Sequence, residues 1–339
     1  AEEHNDPGKF TSFIGIDISK LDYDVAHLDV NGTVVDTKKF SNNSSGFRSM
    51  LSWIKKSSAT EQLLFCLEHT GVYCLGICVF FEEYGLNYSL QSGLQIKRSM
   101  GIQRGKNDKA DACVIGKYAY LNRNEIDCYR LPSRIILKLK QLVSYRERLV
   151  KSNVALKIAA KELKAFTDKD MHGYIVSDSQ EHIKHITKSI IEIDHSLKQI
   201  VAEDPALNRM FKLITSVKGV GLHIAINMIV VTHGFTRFKN WRKFSCYCGL
   251  APFEHRSGSS IRGKTKVSHL GNKKIKAIIG NGIASAIQHD PEIASYYKRK
   301  LEEGKHKMVV MNAIKNKLIS RVFAVVKRGT PFVPLYQHI

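Results

Sequence analysis

The chain has 339 residues, 43% of them hydrophobic, enough for two or three domains with cores that need no disulfide staples. Its 52 Lys and Arg outnumber 31 Asp and Glu, and the resulting formal charge of +21 selects polyanionic partners, nucleic acid first, over small neutral substrates. The longest apolar runs, such as IAINMIVV at 224–231, fall far short of the ~18 residues a membrane span requires, so no membrane partner is expected.

Residues 1–12 read as a polar tail without a signal-peptide pattern, and the seven cysteines are scattered without paired CxxC spacings. Both point to a reducing, cytoplasmic location.

From residue 13 the pattern is β-rich. FIGIDIS (13–19) and YDVAHLDV (23–30) lead to Asn31-Gly32, a turn pair predicted to take positive φ at both residues, and then to TVVDTKKF (33–40). A helix over 44–56, the strand LLFCLEHT (63–70), a helix over 72–84, the strand NYSLQS (87–92) and a helix over 107–121 follow. The order βββαβαβα over 13–130 is that of ribonuclease-H-like, RuvC-like α/β domains, an analogy that needs a site to support it.

After Pro132 the period changes to seven. Ile135, Leu142, Leu149, Leu156 and Leu163 recur as heptads, and Ile183, Ile186, Ile190, Ile193, Leu197 and Ile200 follow at steps of 3 and 4. Residues 131–203 therefore read as coiled-coil helices. The polar stretch at 167–180 leaves three arrangements open: an antiparallel pair within the chain, pairing between chains, and an ordinary helical hairpin packed on a domain. Residues 204–339 form a mostly α-helical unit, in which Lys218-Gly219-Val220-Gly221 joins two apolar helical stretches like a helix-hairpin-helix element. Its backbone amides would contact phosphate, while a tight turn needing glycine explains the same residues.

Four carboxylates stand out. Asp17 lies inside an apolar strand, where an unpaired charge costs several kcal/mol, and Glu68 ends another strand that neighbours the first in a ribonuclease-H-like sheet. Asp108 and Asp111, three apart, project from one face of a helix start. Convergence of all four would require hard divalent cations, one or two Mg2+ ions, between them and a substrate phosphate. Singly, each has a plain role as cap, solvated residue or ion-pair partner. Arg104, Lys106 and Lys109 are placed to contact phosphate, and His69 faces away as a structural residue.

Eleven Lys or Arg and one acid, Glu254, fall between Thr236 and Lys276. Arg237, Lys239, Arg242, Lys243, Arg256, Arg262, Lys264, Lys266, Lys273 and Lys274, with Lys218, are the expected nucleic-acid contacts. The interleaved Phe238, Trp241, Phe244, Tyr247 and Phe253 either stack on bases or form the small core beneath. The cluster Ser257-Gly258-Ser259-Ser260 reads on composition as a flexible turn. A serine nucleophile there needs activation that only His255 or a metal held elsewhere would provide.

GIDISK, EHTGVY and KNDKADA in the first third, and VKGVG, FSCYCGLAP and RSGSSIRGKTKVSHLGN in the last, together resemble the DEDD transposases of the insertion sequence 110 type, a family that includes Piv-like site-specific DNA invertases. The resemblance spans nearly the whole chain. It implies that Asp17, Glu68, Asp108 and Asp111 bind Mg2+ and that Ser257 is the nucleophile of a covalent serine-DNA intermediate. Ser259, where relatives carry another small residue, and Ser260 are alternatives. The implied activity is RNA-guided transposition, with donor and target double-stranded DNA and a structured noncoding bridge RNA as partners. A homo-oligomer, dimer or tetramer, in a bacterial or archaeal nucleoid is implied as well. A RuvC-like structure-specific endonuclease using water, a Piv-like invertase, and a noncatalytic nucleic-acid scaffold are the competing readings.

Overall fold

The computed structural model describes residues 10–56, 62–101, 108–162, 166–257, 261–268 and 270–334; the side chains at 108, 254–257 and 261–266 lie outside the description. The chain divides into two compact units between Leu131 and Pro132.

The first unit is a five-stranded sheet in the order β3-β2-β1-β4-β5, made by β1 (Ser12–Ile18), β2 (Asp22–Leu28), β3 (Val34–Ser41), β4 (Leu63–Glu68) and β5 (Asn87–Gln91). β2 runs antiparallel to both β1 and β3, and β4 and β5 run parallel to β1. Such a sheet must be covered on both faces, which the alternation within β1 satisfies. Ile14, Ile16 and Ile18 enter one core with α1 (Ser44–Lys55) and α2 (Leu75–Glu83), whereas Phe13 enters another with Ala112 and Ile115 of α4 (Asp108–Leu121). The helix α1 forms because Phe47, Met50, Leu51 and Ile54 share one stripe and Asn43 caps it, its side chain accepting from the Gly46 N–H at 2.9 Å. A short helix, α3 (Gly93–Met100), stands where the sequence offered no period long enough to announce it.

The β2–β3 turn departs from expectation. Only Gly32 takes positive φ, at 72°, while Asn31 does not. The Asp29 carboxylate sets the turn instead, accepting from the N–H groups of Asn31 (2.9 Å) and Thr33 (2.8 Å).

In the second unit, α5 (Arg134–Glu162) and α6 (Lys169–Glu203) pair with each other within the chain as an antiparallel helical hairpin. Along α6 the expected positions face inward, with Ile193 and Leu197 fully buried. On α5 the buried seam runs one residue aside, through Ile136, Leu139, Val143 and Asn153, leaving Ile135, Leu142 and Leu149 on its flank. Polar pairs explain the offset. The Asn153 amide donates to Thr187 Oγ1 (3.2 Å), and Arg146 donates to Asp194 at 2.6 and 3.1 Å and to His223 Nε2 at 2.9 Å. A heptad count of apolar residues passes over these positions. The base of the hairpin joins the core formed by α7 (Pro205–Thr215), α8 (Leu222–Thr232), α9 (Trp241–Tyr247) and the helices α10 (Lys273–Gly280), α11 (Ile283–His289), α12 (Pro291–Glu302) and α13 (Lys307–Arg328). One feature interrupts this helical unit: a two-stranded antiparallel ribbon of β6 (Pro252–Ser257) and β7 (Ile261–Val267).

Candidate active site

The acids of the first unit are gathered by strand register. β1 and β4 pair in parallel with Gly15 opposite Cys66 and Ile16 opposite Leu67, so Asp17 and Glu68 are the next residues on adjacent strands. Alternation decides their face. Phe13, Leu64 and Cys66 belong to the core under α4, which puts Gly15, Asp17 and Glu68 on the α4 side of the sheet. Both carboxylate residues are half-buried at the strand ends.

The direction of α4 completes the arrangement. Its Tyr120 ring packs on Phe13 with centroids 5.4 Å apart, and its Gly116 backbone lies on Gly15. One turn earlier, a Cβ on Gly15 would overlap the carbonyl oxygen of Ala112. Following α4 toward its N-terminus thus leads along β1 toward Asp17, and the first turn of the helix carries Asp108 and Asp111. The side chain of Asp108 lies outside the described residues; Asp111 is half-buried and Lys109 exposed. Arg104 and Lys106 precede the helix, outside the described residues.

Other residues hold this end of the sheet together, and no period or motif in the sequence marks them. The Asn42 amide donates both to the Ser19 carbonyl (2.9 Å) and to the Tyr73 carbonyl (3.2 Å), tying the loop after β1 to the loop after β4. Glu68 sits against Gly93 at the start of α3, where a Cβ would overlap its Oε1. Gln95 of α3 donates to the Tyr118 hydroxyl of α4 (2.8 Å), and burial raises that phenol above its ordinary pKa. His69 is exposed beyond the end of β4, its Nδ1 accepting from the Gly71 N–H at 3.4 Å, a local turn contact. A further acid, Asp24 of β2, stands directly across from Asp17.

Carboxylate oxygens alone are the donor set of a hard divalent cation. Among the described residues no three His, Cys, Asp or Glu side chains stand together as a metal-holding group. Asp17, Glu68 and Asp111 are thus brought to one end of one face without closing into a ligand cage.

Ser257 belongs to the second unit. It is the last residue of β6, paired with Ile261 across the tip of the ribbon, and Ser259 and Ser260 lie outside the described residues. The cluster read on composition as a flexible turn is therefore flanked by paired strands. Arg256 is on β6 and Arg262, Lys264 and Lys266 are on β7.

Below the ribbon, Phe238, Phe244 and Tyr247 form the small aromatic core, with centroids 5.2 Å apart for Phe238 with each of the other two. Of the five aromatics interleaved with the basic residues, Phe253 alone is mostly exposed, at 51%. The guanidinium of Arg237 lies over the Phe238 and Tyr247 rings and that of Arg242 over Trp241, and both residues are exposed. Lys239, Lys243 and Lys273 are exposed. Lys274 forms an ion pair with Glu147 of α5; burial opposes ionisation of that carboxyl, but Lys274 and Lys151 together pull it below its ordinary range.

Lys218 is exposed on the turn between α7 and α8, where Gly219 takes φ of 87° against Gly282 and Ala286. The tight packing accounts for glycine at 219. Next to it, α5, α6, α8, α10 and this turn enclose a cleft of about 740 Å³.

A transposase family model matches residues 14–163, and a model described as the transposase IS116/IS110/IS902 family matches residues 211–298. Among curated proteins, the pilin gene-inverting protein of Moraxella lacunata is 27% identical over 328 residues, 95% of this chain and 97% of the relative. The pilin gene-inverting protein of Moraxella bovis is 26% identical with the same coverage. The insertion element IS110 uncharacterized 43.6 kDa protein of Streptomyces coelicolor is 26% identical over 151 residues, 44% of this chain and 37% of that protein.

Proposed function

We propose that the chain is a transposase of the IS110 family, whose models match residues 14–163 and 211–298, and that it is a Mg2+-dependent DNA recombinase whose strand cutting passes through a covalent serine-DNA intermediate. The observation that carries this reading is the placement of Asp17 and Glu68 side by side on the sheet face along which α4 brings Asp108 and Asp111. In this reading those four carboxylates hold the metal, which when bound supplies Lewis-acid polarisation of the phosphodiester and stabilises the leaving oxygen.

The residues of this chain divide the remaining work. The Ser257 hydroxyl attacks phosphorus, forming a serine-phosphate bond as the bond to one sugar oxygen breaks and that oxygen leaves as a hydroxyl. A second strand's hydroxyl then displaces the serine. Arg256, Arg262, Lys264 and Lys266 flank the serine on the ribbon and match the charge of the backbone being cut. Lys218, Arg237, Lys239, Arg242, Lys243 and Lys273 extend the cationic contacts to donor and target DNA.

A bridge RNA that selects those DNAs by base pairing, and assembly as a dimer or tetramer, complete the reading; the family resemblance and the charge of +21 support them. Ser257 and the four acids belong to different compact units, so catalysis requires the units, from one chain or from two, to come together on DNA.

Inversion of a DNA segment is the second reading. Its support is that the relatives aligned over 95% of the chain are pilin gene-inverting proteins, whereas the insertion-element protein aligns over 44%.

The test of the metal-dependent reading is cutting of labelled donor and target DNA in Mg2+ or EDTA by wild type, Asp17→Asn, Glu68→Gln and Asp111→Asn, with and without RNA from the flanks of the element. Each variant is expected to lose at least about a hundredfold in rate, as EDTA does, while folding normally. Undiminished cutting by the variants would refute it. Junctions sequenced from a plasmid substrate separate insertion from inversion.

A further inference from the structure

Asp24 and Lys39 belong to none of the motifs that identify the family, yet strand register places them beside Asp17. Across β1, β2 and β3 one rung reads Asp17, Asp24, Lys39: Asp17 is directly opposite Asp24, and Asp24 is directly opposite Lys39. Alternation along β2 puts Asp24 on the face of Ala26 and Leu28, the face covered by α4. Two carboxylates on directly opposed strand positions repel. The repulsion acts on the residue that has to present its oxygens to the metal.

Lys39 stands on the far side of Asp24 from Asp17. Its Nζ is 3.3 Å from Asp24 Oδ2 and 3.8 Å from Asp22 Oδ1, and Asp22 is itself held by the Ser19 hydroxyl at 2.9 Å. The Asp24 side chain is 14% exposed and that of Lys39 52%, so a largely buried acid anchors a pair whose lysine solvent reaches. The pull on Asp24 is therefore away from Asp17 and toward β3.

We infer that Lys39 is a positioning residue that draws Asp24 out of the metal site, so that Asp17 and not Asp24 serves as the ligand from the first two strands. The inference rests on the metal-dependent reading above. Removing the lysine charge lets the Asp24 carboxylate turn to the other side of its rung. The site then gains a competing anion: it binds a divalent cation more tightly and holds it less productively.

The test is thermal melting of the full-length protein without DNA across a titration of Mg2+ and, separately, Mn2+, for wild type, Asp17→Asn, Lys39→Met, Lys39→Arg, Asp24→Asn and the double variant Asp24→Asn/Lys39→Met. Wild type is expected to melt at higher temperature as the cation rises, and Asp17→Asn to lose that response. Lys39→Met is expected to shift the midpoint of the response to roughly threefold lower cation or further and to cut DNA more slowly, with Lys39→Arg restoring both. Asp24→Asn and the double variant are expected to keep the wild-type midpoint, since without the Asp24 charge the lysine has nothing to restrain.

An ion pair with a structural role only would lower the melting temperature of Lys39→Met by the same amount at every cation concentration and leave the midpoint in place, and that result overturns the inference while sparing the metal reading. Absence of any cation response in wild type defeats both. Should Lys39→Met not fold, Lys39→Gln is read in its place: a midpoint at lower cation sustains the inference, and a wild-type midpoint overturns it.

Discussion

His233 ends α8 in the left-handed region, at φ 50° and ψ 49°, a conformation that asparagine tolerates better than most side chains. Burial first, then the charges of Arg237 and Lys140, lower its pKa to about 4. The folded state therefore resists a proton that the unfolded chain accepts near 6.5. Its contribution to stability is present in full above pH 6.5 and is lost as pH falls toward 4. His233→Asn is expected to reduce the fall in urea midpoint between pH 7 and pH 4; an unchanged fall would contradict the assignment. At this scale the sequence was unevenly legible. Asp17 and Glu68 stood out because a carboxylate within an apolar strand needs a reason. Asp24 did not, because its relation to Asp17 exists only through the register of the β1–β2 pair, and a charged residue in an alternating strand reads as solvent-facing. The ion pair of Lys274 with Glu147 was not legible because the two residues are remote in sequence.

At the scale of elements, the crossing of α4 over β1 is what brings the start of the helix, with Asp111, toward Asp17. It depends on glycine on both surfaces, since a Cβ at Gly15 would overlap the Ala112 carbonyl and the Gly116 backbone nitrogen. Gly15→Ala is expected to cost about 1–3 kcal/mol, read as a lower urea midpoint. Because the helix must move off the strand, DNA cutting is expected to fall further than the lost stability accounts for. A variant of unchanged stability and activity would mean that the crossing tolerates displacement. The order of strands and the α4 helix were readable from alternation and periodicity. Three features were not. The ribbon β6–β7 was hidden in a basic, Ser-rich stretch that resembles a loop, and α3 is too short to show a period. On α5 the buried seam includes Asn153, with the half-buried Arg146 beside it, polar residues that Thr187, Asp194 and His223 satisfy and that no apolar repeat can reveal.

For the whole molecule, charge and sequence motifs together carried the reading further than either alone. A net charge of +21 selects nucleic acid without saying what is done to it, and the acids of the first unit suit hydrolysis by water as well as attack by serine. What separates a recombinase from a nuclease is the fate of the phosphate: a serine ester conserves the bond energy for rejoining, whereas water discards it. That distinction rests on Ser257, at the tip of a ribbon in the unit that does not contain the acids. The most direct measurement is denaturing electrophoresis of labelled DNA incubated with Mg2+, flanking RNA and either wild type or Ser257→Ala. A protein-linked DNA band, sensitive to protease and present only with wild type, is the predicted result. Equal cutting by both proteins, with free DNA ends and no protein-linked band, would contradict the serine intermediate and leave a hydrolytic nuclease.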